Sequence, residues 1–467
     1  MGDKGSAGAR GASGSPIHPL TLSPIHPSAA PTRPLPSFSP VPNNTEMQST
    51  PSRNKLYLAL MAAFLGWMFD GMEMGIFPIV AGPALQEMAP RLEGLDLKEF
   101  VGLWMGWATA FFLWGAAAGG IVFGWLGDRI GRVRSMNLSI LAYSIFTGLA
   151  YFAIHPWHLC ACRFLAGLGM GGEWSLGVAL VMEIWPDKKR PLLAALIGAA
   201  SNVGFVVIGI IAMNIHVTKD HWRWIFLVGA APALLTFIIQ RFVPESERWK
   251  EAVKGSHANP LVEIFQPALR NRTLVAIVLA SVALIATWGA IQWLSLLGQE
   301  RADAMVRAHG GLGDPGAKAF TATLSAFGAI AGCFFGAWLG KFGRRKAYFL
   351  LCTLSLAVCT YLFRFTSNYD LEFHCLVFLA GACTASFYAW LPLYLPELFP
   401  TRVRATAQGL SFNLGRVLAG VGALQAGALV KSLHGYDHAG AAIVLVYLIG
   451  MIAVWFAPET LGQPLPD

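Results

Sequence analysis

The sequence predicts an all-α membrane protein, with twelve transmembrane helices in two pseudo-symmetric six-helix bundles. Three observations predict it. Of 467 residues, 55% are apolar and only 13% charged, about half the charged share of soluble domains. Apolar runs of about 20 residues, each long enough to cross a bilayer core, recur from Lys55 onward. The second half of the chain also repeats the charged punctuation of the first. An outer-membrane barrel would alternate apolar and polar residues in short strands, which this chain does not do.

Taken in order, residues 1–54 are rich in Pro, Ser, Gly and Ala. They contain no apolar core of a secretory signal and read as a disordered cytoplasmic tail. Residues 55–243 form the first bundle, with spans expected at 56–80, 101–124, 135–154, 157–181, 191–214 and 221–243. Residues 244–272 carry RWKEAVK and VEIFQPALRNR and read as an amphipathic cytoplasmic linker. Residues 273–467 form the second bundle, with spans at 273–297, 318–340, 346–366, 371–396, 405–430 and 438–457.

Most Lys and Arg residues fall in the tail and in the connections after spans two, four, six, eight and ten. Few fall on the other side, among them Arg91, Lys98, Arg223 and Lys318. This asymmetry puts both termini in the cytoplasm. With no organelle signal evident, the expected location is a bacterial inner membrane. The basic residues are spread over many short loops rather than along one face, which excludes nucleic acid as a partner and leaves the lipid bilayer. A monomer is expected.

No chemistry of another class competes. The seven cysteines show no CxxC or Cys/His metal spacing and read as small packing residues. Gly171-Gly172-Glu173 lacks the rest of a phosphate loop, so ATP-driven pumping has no support. No cofactor and no enzymatic activity are expected.

The repeat is specific. GWLGDRIGRVR after span two matches GAWLGKFGRRK after span eight, with Arg132 opposite Arg344. Glu183, Pro186 and Arg190 match Glu397, Pro400 and Arg404. VPES, leaving span six, matches APET, leaving span twelve. Two six-helix halves in parallel repeat are the layout of carriers with a midplane site between them.

On these motifs, together with RFLAGLGMGGE in span four, residues 55–462 resemble the major facilitator superfamily. Asp70-Gly71-Met72-Glu73 resembles the Asp-Gly-x-Asp element of its aromatic-acid and metabolite symporters, with Glu in the second acidic position. Glu173 in GGEW and Asn413-Leu-Gly-Arg416 resemble the lactate and sialic-acid permeases. The resemblance implies proton-coupled symport of a small organic acid, a monocarboxylate-like metabolite, by alternating access.

The residues themselves point the same way. An ionisable side chain at a helix centre costs about 2.5–3.5 kcal/mol to insert, so such residues usually face a cavity and do work. Asp70 and Glu73 are three apart and share a helical face. With Glu173 they are the candidates for proton coupling; a role in purely structural ion pairs stays open. Arg416 offers a planar fork for a carboxylate, and Asn413 lies on the same face. Arg163 is a further site candidate. Trp288 and Gln292 in span seven, and Tyr388 with Trp390 and Tyr394 in span ten, are candidate contacts for a small organic molecule. At the cytoplasmic ends, Asp128, Arg129 and Arg132 are candidate gate residues. Glu183 with Arg190 and Glu397 with Arg404 read as a second charge relay. Two other readings remain: a proton-independent facilitator of sugars or neutral metabolites, and a transporter-like sensor.

Overall fold

The computed structural model describes residues 52–214, 221–254, 259–311, 313–314 and 316–467. The expectation of a disordered tail lies, except for its last residues, outside them. Among the described residues every regular element is helical. The first half runs α1 (Arg53–Met88), α2 (Gly94–Ile130), α3 (Arg132–Leu149), α4 (Pro156–Ile184), α5 (Arg190–Asn214), α6 (Trp222–Ala230) and α7 (Ala233–Phe242). Two short helices follow, α8 (Glu247–Val253) and α9 (Pro260–Glu263). The second half runs α10 (Pro267–Gly289), α11 (Leu294–Ala308), α12 (Ala317–Leu339), α13 (Arg344–Phe365), α14 (Leu371–Ala385), α15 (Phe387–Leu398), α16 (Arg404–Ser432), α17 (Tyr436–Ile443) and α18 (Val446–Ala453).

Four spans are each built from two helices: α6–α7, α10–α11, α14–α15 and α17–α18. With the eight continuous ones they make twelve, six to a half. Among the described residues, ten helical segments are long and apolar enough on their own to cross a membrane. The sixth span is interrupted at Ala231–Pro232. The eleventh, α16, dilutes its apolar run with Arg404, Gln408, Asn413 and Arg416, all buried.

The turns obey local chemistry. Gly131 (φ 112°) and Gly343 (φ 122°) connect α2 to α3 and α12 to α13. Both lie at positive φ, where a side chain would be strained. The helix that follows each turn starts with unpaired N–H groups, and a distant carboxylate takes them. Glu245 accepts from the backbone of Arg132 and Val133. Glu459 accepts from that of Arg344 and Arg345. These two glutamates are the acidic residues of VPES and APET, so the repeat holds in three dimensions.

The halves meet along a seam of small residues. A Cβ on Gly124 of α2 would lie 2.7 Å from the Ala405 carbonyl oxygen of α16, and one on Gly198 of α5 would strike the Tyr388 carbonyl. Ala195, Ala199, Ala329, Cys333 and Ala389 continue that contact between the halves. Backbones approach this closely only where side chains are small.

Candidate functional site

Between the halves lies a cavity of about 670 Å³. It occupies the part of the interface away from the turns at Gly131 and Gly343. Its walls come from the late parts of α1 and α5 (Pro78, Ile208) and the early part of α12 (Lys318). Spans seven and ten break beside it, at Gly289–Ala290 and at Ser386. Irregular backbone at membrane depth is tolerated where it lines a cavity. These breaks bring Trp288, Gln292 and Tyr388 to the wall. The sequence placed Trp288 and Gln292 together by helical spacing. The helix in fact ends between them, and the break puts both on the cavity.

Trp390 and Tyr394 do not reach it. They are buried in the second half, where Trp390 Nε1 donates to the Arg344 carbonyl at 3.1 Å and Tyr394 Oη to the Pro458 carbonyl at 2.6 Å. Two charged side chains line the cavity among the described residues, and both are cations: Arg416 and Lys318. Lys318 is exposed at the rim, whereas Arg416 is buried.

Beneath the cavity an aromatic rung crosses the seam. Trp174 of α4 stacks on Phe412 of α16, with centroids 3.8 Å apart and planes at 13°. Trp67 and Tyr388 meet the same phenyl ring edge-on, and the Arg416 guanidinium lies 5.4 Å from its centroid. Arg416 Nη1 donates to Asn413 Oδ1 at 2.6 Å. Its Nε has no acceptor, and no carboxylate lies within ion-pair distance of it among the described residues. Asn413 is off the cavity wall, with its Nδ2 bonded to the carbonyls of Gly171 and Gly409, each at 2.9 Å.

The three carboxylates read as proton-coupling candidates, Asp70, Glu73 and Glu173, are all buried and divide into two sites. Glu73 pairs with Arg163, Oε1 to Nη1 at 2.5 Å, and takes a further bond from Thr147 at 3.3 Å. Arg163 lies between rings, 4.6 Å from the centroid of Phe77 and 3.9 Å from that of Phe112. Neither member of the pair lines the cavity. Asp70 faces Glu173 within hydrogen-bond reach. None of their four carboxyl oxygens has a donor from any other described group. Gly66 of α1 makes room for Glu173, since a Cβ there would run into its carboxyl. Arg416 is in electrostatic range of Asp70.

At the end bearing the glycine turns, the charges close on one another. Arg132 reaches Asp128 (2.5 Å), Glu183 (3.0 Å) and, across the seam, the Thr401 carbonyl (2.7 Å). Asp128 accepts from the backbone of Ala405 (3.2 Å) and Thr406 (2.7 Å). Arg404 crosses to Glu183 at 3.0 Å. The relay pairing read from the sequence therefore changes. Glu183 serves Arg132 and Arg404, while Arg190 pairs with Asp187 at 2.6 Å. Glu397 pairs with Arg344 at 2.7 Å rather than with Arg404. The reason is that Arg132 and Arg344 follow their turns directly and point back onto α4 and α15. Arg129 faces outward, its guanidinium 5.1 Å from the Trp125 ring centroid, outside the network.

Sequence reasoning missed Glu245, Glu459, Gly66, Thr147 and Lys318. The two glutamates were visible as the acidic members of a repeated motif. The other three carry no local pattern: Gly66 and Thr147 act through neighbours brought close by folding, and Lys318 reaches the cavity rim only through the packing of α12.

The Major Facilitator Superfamily model matches residues 56–309 and 308–466. A putative metabolite transport protein of Haemophilus influenzae is 29% identical over 426 residues, covering 87% of this chain and 97% of that protein. The sialic acid transporter NanX of Escherichia coli K12 is 27% identical, covering 83% and 90%. A solved structure of the proton:xylose symporter XylE bound to 6-bromo-6-deoxy-D-glucose matches with a TM-score of 0.69 at 15% identity, over 88% of this chain and 98% of that one. This last likeness is one of fold. The chain belongs to the major facilitator superfamily and is a membrane transporter of the metabolite permease type, not an enzyme.

Proposed function

We propose that this protein carries an organic monocarboxylate together with protons, and that the arrangement described is its outward-facing state. One observation carries the anion reading. Arg416 is a buried cation on the cavity wall, without a carboxylate partner and with its Nε edge unused. A buried charge left unpaired is costly. A substrate carboxylate reaching the guanidinium from the cavity supplies the missing partner. Lys318 at the rim adds attraction for anions, and Trp288 and Tyr388 offer apolar faces for the rest of the molecule. The cavity lies within the usual range for small-molecule sites and exceeds what a three-carbon acid fills.

Asp70 and Glu173 are the proposed proton carriers. Two facing carboxyls with no other donor sit together at low cost only with one shared proton, since two bare charges in an apolar interior repel. Arg416 then links the two ligands, since it lies within electrostatic range of Asp70 and would hold the substrate carboxylate beside the proton-bearing pair. Glu73, already matched by Arg163, fits a supporting role better than a coupling one. The gate charges hold the seam closed at the end where Lys and Arg concentrate, which the positive-inside rule makes cytoplasmic. Both termini then lie in the cytoplasm, and the bacterial relatives favour an inner membrane. A monomer holds the complete site.

The test is uptake of labelled lactate, sialic acid and benzoate into proteoliposomes, with and without an inward proton gradient. The proposal expects one of these acids to accumulate only with the gradient, and Arg416→Ala to abolish that uptake. Uptake indifferent to the gradient would mark a facilitator. Gradient-driven uptake that survives Arg416→Ala would remove the anion assignment.

A further inference from the structure

We propose that Asn413 makes the anion site depend on the seam: it orients Arg416 only while the two halves are in contact at this level. This rests on the reading of Arg416 as the ligand of the anion. The geometry is a chain of three groups. Arg416 Nη1 donates to Asn413 Oδ1 at 2.6 Å, and Asn413 Nδ2 donates across the seam to the Gly171 carbonyl of α4 at 2.9 Å. The second Nδ2 hydrogen goes to Gly409 of its own helix at 2.9 Å. The Asn413 side chain is fully buried.

The seam is built around this amide. A Cβ on Gly120 of α2 would collide with Asn413 Nδ2, one on Gly409 with the Gly120 carbonyl, and one on Gly171 with the Ala116 carbonyl. Three helices are thus stripped of side chains where one polar group inserts. The chemistry requires an amide. It must accept from a guanidinium and donate to a carbonyl at once; Asp lacks the donor, and Leu lacks both functions.

The consequence is a linkage. If α16 parts from α4, Nδ2 loses the Gly171 carbonyl and Oδ1 is no longer fixed against Arg416. The acceptor that sets the guanidinium's fork is then held by Gly409 alone, and the anion is bound less tightly. A carboxylate that approaches the guanidinium from the cavity leaves Nη1 with Asn413, so anion binding and seam closure support one another. Asn413 is a positioning residue in this account and touches no substrate.

The test needs no substrate. Spin labels are placed at exposed Lys188 and Lys341, on opposite halves at the gate end, after replacement of the native cysteines. Pulsed electron resonance reads the ratio of long to short distances in reconstituted protein. Asn413→Ala should raise that ratio about fivefold, as loss of one buried bond implies. Asn413→Asp should do the same, since it keeps the acceptor for Arg416 and loses the donor to Gly171. Arg416→Met should open the gate by a similar factor, and the double variant Asn413→Ala/Arg416→Met no further. Independent effects, multiplying to about 25-fold in the double variant, would overturn the proposal, as would a closed gate in Asn413→Asp. Acid binding that persists in Arg416→Met would sink the anion assignment alone, because the distance cycle is read without any acid present.

Discussion

The Asp128 carboxylate of α2 accepts the backbone N–H of Thr406 in α16 at 2.7 Å, so the first half of the protein caps a helix of the second. Ala405 donates to the same carboxylate at 3.2 Å. These are N–H groups of the first turn of α16, which have no partner within the helix, and an anion is favoured at that end. The contact between the halves at this end, the proposed gate, is therefore held by a helix cap as well as by ion pairs. Caps of this kind contribute about 0.5–2 kcal/mol. Asp128→Ala should shift the gate toward the open state by roughly fivefold. Asp128→Asn, which keeps one acceptor, should shift it less. Distances between labels at Lys188 and Lys341 read both; equal and unshifted distributions would argue against a cap.

Glu73 and Arg163 form a buried pair removed from the cavity wall. Removing one member leaves an uncompensated buried charge, which costs about 3–5 kcal/mol. Glu73→Gln and Arg163→Met should each lower the thermal unfolding temperature strongly. The double variant Glu73→Leu/Arg163→Met should be markedly milder than Arg163→Met. If the double variant is worse than either single change, the pair is not an isolated structural unit.

The two helix-starting glutamates should respond to pH in opposite senses. Burial opposes the charge of Glu459, but N–H donors from Arg344, Arg345 and Leu461 outweigh it and hold its carboxyl below the usual range. Its stabilisation is present above the unfolded-state value and is lost as pH falls through the lower folded-state one. For Glu245 burial prevails over its N–H donors and raises the carboxyl. Its contribution is greatest when protonated and declines as pH rises through the folded-state value. Unfolding temperatures followed from pH 3 to 7 (about the carboxylate range) check this. Glu459→Gln should flatten the acid side of the curve and Glu245→Gln the neutral side.

Gly66 leaves space for the Glu173 carboxyl. In Gly66→Ala the new methyl meets the far end of a flexible side chain, so the fold should survive with a loss of about 1–3 kcal/mol. The carboxyl must move away from Asp70, however. Gradient-driven accumulation should fall severalfold while exchange of acid across the membrane continues. Unchanged accumulation would mean the pair does not need its present spacing.

The spans, the repeat and the buried position of Arg416 were legible in the sequence for one reason: an apolar run or an intramembrane charge is visible without knowing what it touches. Pairings were not. Asp70 and Glu73 share a face of α1, yet Glu73 finds Arg163 and Asp70 finds Glu173, because α4 presents residues 163 and 173 at different depths. Glu183 and Glu397 looked matched to the arginines downstream of them. They turn instead to Arg132 and Arg344, which positive-φ glycines aim back toward them. The breaks at Gly289–Ala290 and at Ser386 left no clear mark either, since neither contains the proline that would announce an interruption.

On the proposed mechanism a carboxylate at Arg416 and a proton on the Asp70–Glu173 pair move together. The most direct measurement follows acid uptake and internal pH at once in proteoliposomes, comparing the unaltered protein with Asp70→Asn/Glu173→Gln. The account predicts that acid uptake carries protons in the unaltered protein. It also predicts that the double variant still exchanges acid but neither moves protons nor accumulates acid against a gradient. Full proton-driven accumulation by the double variant would contradict it.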